Sequence, residues 1–163
     1  MTLRCDLIIP PSMNFGTRVL LPEEQIPYRE RQEDVVYALE NAFLRVRDEL
    51  PFPVDFRKLQ ITERPSVSVT SPFEWQKSHM IMATDPDEHL LWNLHDAAVA
   101  NPALSLIMYG NAPLPRAQEQ IWQKTIPNVE DRLFVRTYDC PDGIRIQSDI
   151  KRALQFICGK HFG

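Results

Sequence analysis

Apolar residues recur along this chain with two different periods. Between Leu3 and Ile9 every second residue is apolar, which predicts a strand that ends at Pro10. From about Pro27 to Leu50 the period becomes helical, because Val35, Leu39, Ala42, Phe43, Val46 and Leu50 fall on one stripe. The prediction for the first third of the chain is therefore one strand followed by one long helix.

The middle of the chain returns to a period of two. Leu59 with Ile61, Val67 with Val69, and residues 80–82 each predict a strand, and the connections between them predict an antiparallel meander. Further along, the pattern predicts a central strand at 104–109 and then a short helix at 115–126, in which Ala117, Ile121 and Trp122 face inward. A strand at 133–138 follows, and after it a turn that leads into 144–146. The last predicted helix begins at 148 or 149 and stops at Gly159.

These elements predict an α+β fold. Strands and helices follow one another without regular alternation, so we expect a mixed, largely antiparallel sheet with about four helices packed on it. A length of 163 residues favours one globular domain over 1–163, and the fractions of 44% hydrophobic and 25% charged residues are ordinary for such a domain.

Charge and composition narrow the classes of function. The formal net charge of −4 argues against a binder of duplex nucleic acid, and no apolar run is long enough to cross a membrane. The 5 glycines are isolated and form no phosphate-binding loop, so no cofactor is expected. The 3 widely spaced cysteines, with no leader sequence before the first strand, predict a cytoplasmic protein with free thiols.

The segment from Asp85 to Ala100 carries the most information about function. Asp85 is a good N-cap, and Leu90, Leu91, Leu94, Ala97 and Ala98 define a buried helical face. At about 100° per residue, Trp92 projects on the order of 160° away from that face. His89 and Asp96 flank Trp92 on one side, and Glu88 and His95 flank it on the other.

An aromatic side chain surrounded by carboxylates is typical of a protein-binding surface. The first hypothesis is therefore a non-catalytic interaction module of the accessory, immunity or inhibitor type found in bacteria and phages. Its acidic surface would bind a protein partner, or a second copy of the chain, with negative potential assisting association. The predicted binding residues are Trp92, Trp75, Asp87, Glu88 and Asp96.

Histidines and carboxylates in the same region leave an enzymatic alternative open. The dipeptide His95-Asp96 resembles the pair for which one group of metal-dependent phosphohydrolases is named, which implies a small metal-dependent hydrolase. In that alternative the catalytic residues are His89, His95 and Asp96, and the metal ligands are His79, His89 and Asp96. A second alternative is a structural subunit of a larger assembly.

Overall fold

Five parallel strands form the central sheet of this protein. The computed structural model describes residues 2–9, 14–15, 18–19, 22–60, 77–84, 86, 88–110, 114–137 and 143–161. The strands of the sheet are β1 (Leu3–Ile9), β4 (Val54–Gln60), β5 (Met80–Thr84), β6 (Ser105–Gly110) and β7 (Leu133–Thr137). Two short antiparallel strands, β2 (Asn14–Phe15) and β3 (Arg18–Val19), form a separate ribbon.

Five helices complete the described structure. They are α1 (Pro22–Arg47), α2 (Glu88–Ala100), α3 (Arg116–Thr125), the single-turn α4 (Val129–Arg132) and α5 (Gly143–His161). The strand order in the sheet is β4-β1-β5-β6-β7, and every neighbouring pair is parallel. The protein is thus an α/β fold, and the predicted α+β fold with a largely antiparallel sheet is wrong.

The burial of the interior strands is typical of a parallel sheet. All five residues of β5 and all six of β6 are buried, whereas a strand of an antiparallel meander commonly has one polar face. β4 and β5 correspond to the first and last strands of the predicted meander, and each pairs in parallel with β1, which lies between them. The middle strand of the predicted meander, at 67–69, lies outside the described residues.

Each face of the sheet is covered by its own helical layer. On one face, α1 and α5 contact each other and bury an apolar cluster with β1, β5 and β6. On the other face, α2 and α3 pack over a second cluster that includes Ile8, Ile81, Leu94 and Trp122. The long apolar stripes of α1 and α2 therefore predicted the buried faces of these helices even though they did not predict the topology.

Two helices have bounds that differ from the sequence prediction. α1 begins five residues before the expected Pro27. α5 begins at Gly143, so residues 144–146 are helical, and Ile146 is buried in line with Ile150. The remainder of the predicted turn, at 140–142, lies outside the described residues. α5 also continues to His161, past the predicted stop at Gly159. The central strand and the short helix at 115–126 are confirmed within a residue of their predicted bounds.

A buried arginine fixes the end of α2 against the sheet. The Arg132 side chain donates to the backbone carbonyls of Leu104 (2.9 Å), Pro127 (2.9 Å), Ala98 (2.6 Å) and Asn101 (2.7 Å). Ala98 and Asn101 lie at the C-terminal end of α2, where unpaired carbonyls favour a cation. Burial lowers the pKa of Arg132 to about 10, so the side chain is charged at neutral pH.

Candidate functional site

The predicted binding residues that the structure describes lie along α2. Glu88 is the exposed first residue of the helix, Trp92 is half-buried one turn later, and Asp96 is exposed one turn after that. Trp75, Asp85 and Asp87 lie outside the described residues. His89 belongs to α2, but its side chain lies outside them as well.

Three rings from α2 and α3 meet between the helices. The ring centroids of Trp92 and His95 are 5.3 Å apart with the planes nearly perpendicular. Trp122 of α3 lies 6.5 Å from Trp92 and 5.4 Å from His95. These separations are within the range of favourable aromatic packing. Trp92 is therefore held in place by α3, and one part of its surface remains accessible.

His95 forms a polar link across the same junction. Its Nε2 lies 2.7 Å from the Thr125 hydroxyl, and its Nδ1 lies 3.0 Å from a carboxylate oxygen of Asp96. The Thr125 hydroxyl donates its one hydrogen to the Ile121 carbonyl at 2.7 Å. Both ring nitrogens of His95 therefore have a partner, and the hydrogen of the Thr125 hydroxyl points to the Ile121 carbonyl rather than to Nε2.

This hydrogen-bond direction determines what the cluster can do chemically. A hydroxyl, an imidazole and a carboxylate in sequence have the connectivity of a hydrolytic triad. A general base, however, needs an unprotonated nitrogen directed at the nucleophile. Because the Thr125 hydroxyl donates its hydrogen to the Ile121 carbonyl, that hydrogen is not directed at Nε2 of His95 in this arrangement. The geometry therefore describes a link between two helices rather than an activated nucleophile.

The residues of the metal alternative are engaged separately. The Nδ1 of His79, which precedes β5, accepts a hydrogen bond from the backbone N–H of Arg4 at 3.0 Å. Asp96 is occupied with His95 on α2. Across the described ranges, no group of three histidine, cysteine or acidic side chains is arranged to hold a metal ion.

Exposed apolar side chains lie on the same two helices. Among the described residues three large apolar side chains are strongly exposed: Tyr37 of α1 (71%), Val99 of α2 (44%) and Ile121 of α3 (44%). Glu88, Trp92, Asp96, Val99 and Ile121 together are called the α2–α3 surface below. It combines apolar and acidic groups of the two helices that hold the three-ring cluster.

Ile121 corrects one expectation and adds a site residue that the sequence did not indicate. It was expected to face inward with Ala117, but both are exposed, and Gln118 is buried beside Trp122 instead. Trp122 is fully buried, as predicted. Thr125 was also missed, because the only signal in the sequence was a hydroxyl residue near the end of a helix.

A second polar network crosses the sheet away from this surface. Buried Asp6 of β1 accepts two hydrogen bonds from Arg57 of β4, at 2.7 and 3.2 Å, and one from the hydroxyl of Ser78. Burial raises the pKa of the Asp6 carboxyl, against the lowering effects of Ser78 and Arg4. Asp6 is paired in register with Ile81, so it lies on the sheet face that α2 and α3 cover.

Comparisons with known proteins identify no family for this chain. No family model matches it, and no curated protein sequence matches it. A solved structure with some similarity is described as a "putative lipoprotein from Peptoclostridium difficile 630 (fragment)". It has a TM-score of 0.47 and 14% identity, over 97% of this chain and 98% of that chain.

The helices were also compared with the requirements of a bilayer. Within the described part of the chain, none has both the length and the apolar character that a membrane crossing demands.

Proposed function

We propose that this chain is a non-catalytic protein-interaction module that binds a protein partner through the α2–α3 surface. The observation that carries the proposal is the placement of Trp92. His95 and Trp122 hold its ring from below, while part of the ring remains exposed beside the carboxylate of Asp96. A rigid aromatic anchor loses little conformational entropy on binding, which is why tryptophans dominate many interfaces.

The partner that suits this surface is a protein with a basic rim around an apolar pocket. Glu88 and Asp96 supply two exposed carboxylates on α2, and the chain as a whole carries a net charge of −4. Val99 of α2 and Ile121 of α3 supply exposed apolar area. We keep the cytoplasm as the predicted location, because the widely spaced cysteines of the sequence are typical of a reducing compartment.

Affinity capture from the native host's lysate tests this proposal. The bait is the wild-type chain, Trp92→Ala, or Tyr37→Ala as a matched control that removes an exposed aromatic side chain from α1 on the opposite face of the sheet. We expect a protein that is retained by wild type and by Tyr37→Ala but lost with Trp92→Ala.

The captured protein is then titrated against the purified variants. A hot-spot tryptophan contributes about 2 kcal/mol or more, so we expect Trp92→Ala to weaken Kd by at least roughly 30-fold and Tyr37→Ala to leave it unchanged. Equal affinities for both variants would contradict the proposal. If the captured protein is a second copy of this chain, and light scattering shows a molecular mass that rises with concentration, the partner is the chain itself and the surface mediates self-association.

A further inference from the structure

We propose that two copies of this chain pair antiparallel through the outer edges of their β4 strands, with the twofold axis at Phe56. The two five-stranded sheets would then form one continuous sheet. This interface is independent of the proposed protein-binding surface, because β4 lies at the edge of the sheet and contributes no residue to the α2–α3 surface.

β4 is the outermost described strand on its side of the sheet. Among the described strands it pairs with β1 alone, in parallel. Residues 54–59 are all half-buried or exposed, whereas every residue of β5 and β6 is buried. The N–H and C=O groups along the outer side of an edge strand can pair with another strand, so β4 is a candidate for pairing with a second chain.

One hydrogen bond shows which backbone groups of β4 point outwards. The backbone N–H of Leu3 in β1 donates to the carbonyl of Pro53 at 3.0 Å. Backbone groups of successive strand residues point to alternate edges, so those of residues 55, 57 and 59 also point to β1, and those of residues 54, 56 and 58 point outwards. In an antiparallel pair, residues 55 and 57 would therefore occupy the non-hydrogen-bonded positions, where opposite Cα atoms are only about 4.5 Å apart.

Charge selects one register for two antiparallel copies of β4. With the axis at Asp55, Arg57 or Lys58, the residue at the axis faces its own copy, so two like charges lie opposite each other, which destabilises a strand pair. With the axis at Phe56, Asp55 lies opposite Arg57 of the second copy, and the symmetry repeats this ion pair. Charges of a single sign along an edge strand would oppose every register. The sequence of β4 instead allows one register in which opposite charges meet.

Both charged groups of this register are accessible to a second copy. Asp55 is exposed, and the Arg57 side chain is 33% exposed. Among the described contacts, Asp6 engages Nε and Nη2 of Arg57, at 2.7 and 3.2 Å, so Nη1 is left to donate to Asp55 of the second copy. On the other face of the strand, Phe56 stacks on Phe43 of α1 with 4.9 Å between the ring centroids, and it would meet Phe56 of the second copy at the axis.

The opposite edge of the sheet lacks this pattern. β7 carries Arg136 but no acidic residue, so no antiparallel register of β7 with its own copy brings opposite charges together. The self-complementary pattern is therefore specific to β4, which favours a second copy of the chain as the partner at this edge.

Sedimentation equilibrium measures the dimer directly. The samples are wild type, Asp55→Lys, Glu130→Lys and Trp92→Ala, and circular dichroism establishes that each variant is folded. Asp55→Lys places a second positive charge opposite each Arg57 of the dimer. Glu130→Lys is the matched control, because it makes the same change of net charge at an exposed residue just before β7, at the opposite edge of the sheet. Trp92→Ala reports association through the α2–α3 surface instead.

We expect wild type to form a reversible dimer, and Asp55→Lys to raise the Kd of that dimer at least roughly tenfold, because two attractive pairs become repulsive. Glu130→Lys and Trp92→Ala should leave the Kd unchanged. A wild type that stays monomeric at its highest soluble concentration would overturn the proposal. So would equal weakening by Asp55→Lys and Glu130→Lys, or a dimer that is lost only with Trp92→Ala.

Disulfide crosslinking tests the register. Opposite Cα atoms at the axis are about 5.5 Å apart, which suits a disulfide, so Phe56→Cys should give a crosslinked dimer under oxidation in excess over wild type. Lys58→Cys should give no such excess, because its two copies would lie roughly 14 Å apart along the strands. A crosslink at position 58 but not at position 56 would overturn the register. Asp55→Lys changes an exposed side chain only, so sedimentation remains informative if Phe56→Cys fails to fold.

Discussion

The two helical layers of this protein cover opposite faces of the same sheet, and the side chains at their helix–helix contacts differ in chemistry. α1 and α5 contact each other over an apolar cluster. α2 and α3 instead meet through Trp92, His95 and Trp122, with the hydroxyl of Thr125 linked to His95. An apolar interface of the first kind stabilises a fold without presenting anything to solvent. The second kind holds a partly exposed aromatic ring in a fixed position, which is why our proposal of protein binding concerns that layer.

The largest expected effect concerns the anchoring of α2. Replacing Arg132 with Met removes the donor for four backbone carbonyls at the end of the helix, so the free energy of unfolding should fall by about 3–5 kcal/mol. Urea denaturation measures it. Arg152→Met is the control, because Arg152 is exposed, bonds to Asp131 at 3.2 Å and should cost less than about 1 kcal/mol. Equal losses would show that the end of α2 does not depend on Arg132.

Smaller losses of stability are expected when the two hydrogen bonds of His95 are removed, and they should differ in size. His95→Ala removes the link to Thr125 and the ring that packs against Trp122, so we expect a loss of about 1–3 kcal/mol in the free energy of unfolding. Asp96→Asn changes a contact whose carboxylate is 58% exposed, so its cost should stay below about 1 kcal/mol. The same denaturation series measures both. A larger loss for Asp96→Asn than for His95→Ala would contradict the described junction.

The smallest expected effect is a pH dependence of the free energy of unfolding, caused by Asp6 on the sheet face beneath α2 and α3. Because burial raises the pKa of Asp6, the folded state binds a proton more readily than the unfolded state does. The stability of wild type relative to Asp6→Asn should therefore increase as pH falls from 7 towards 4, by on the order of 1 kcal/mol or less. Urea midpoints across this range measure it. A relative stability that decreases on acidification would mean that the ion pair with Arg57 dominates.

Sequence periodicity predicted most elements but not how the strands pair. β4 carries Asp55 and Lys58 as an edge strand does, and the alternation in β1 includes Asp6, which is buried. A charged residue at a buried position gives an interior strand the alternating pattern of a half-exposed one, and this favoured an antiparallel interpretation.

The candidate site was predictable from the sequence only in part. Helical geometry alone places Trp92 away from the buried stripe of α2, but that helix begins at Glu88 rather than directly after the expected N-cap Asp85. The packing of Trp92 depends on Trp122, which lies thirty residues later on another helix. Contacts between elements this far apart are set by the topology, and the periodicity of apolar residues along the sequence does not indicate which helices pack together.

Photo-crosslinking in the native host tests the central claim most directly. A photoreactive phenylalanine analogue replaces Ile121 on the α2–α3 surface, or Tyr37 on α1, both of which are exposed. The account predicts a crosslinked protein species at position 121 that is lost when Trp92→Ala is added, and no such species at position 37. Crosslinks of equal yield at both positions, or at position 37 alone, would contradict it.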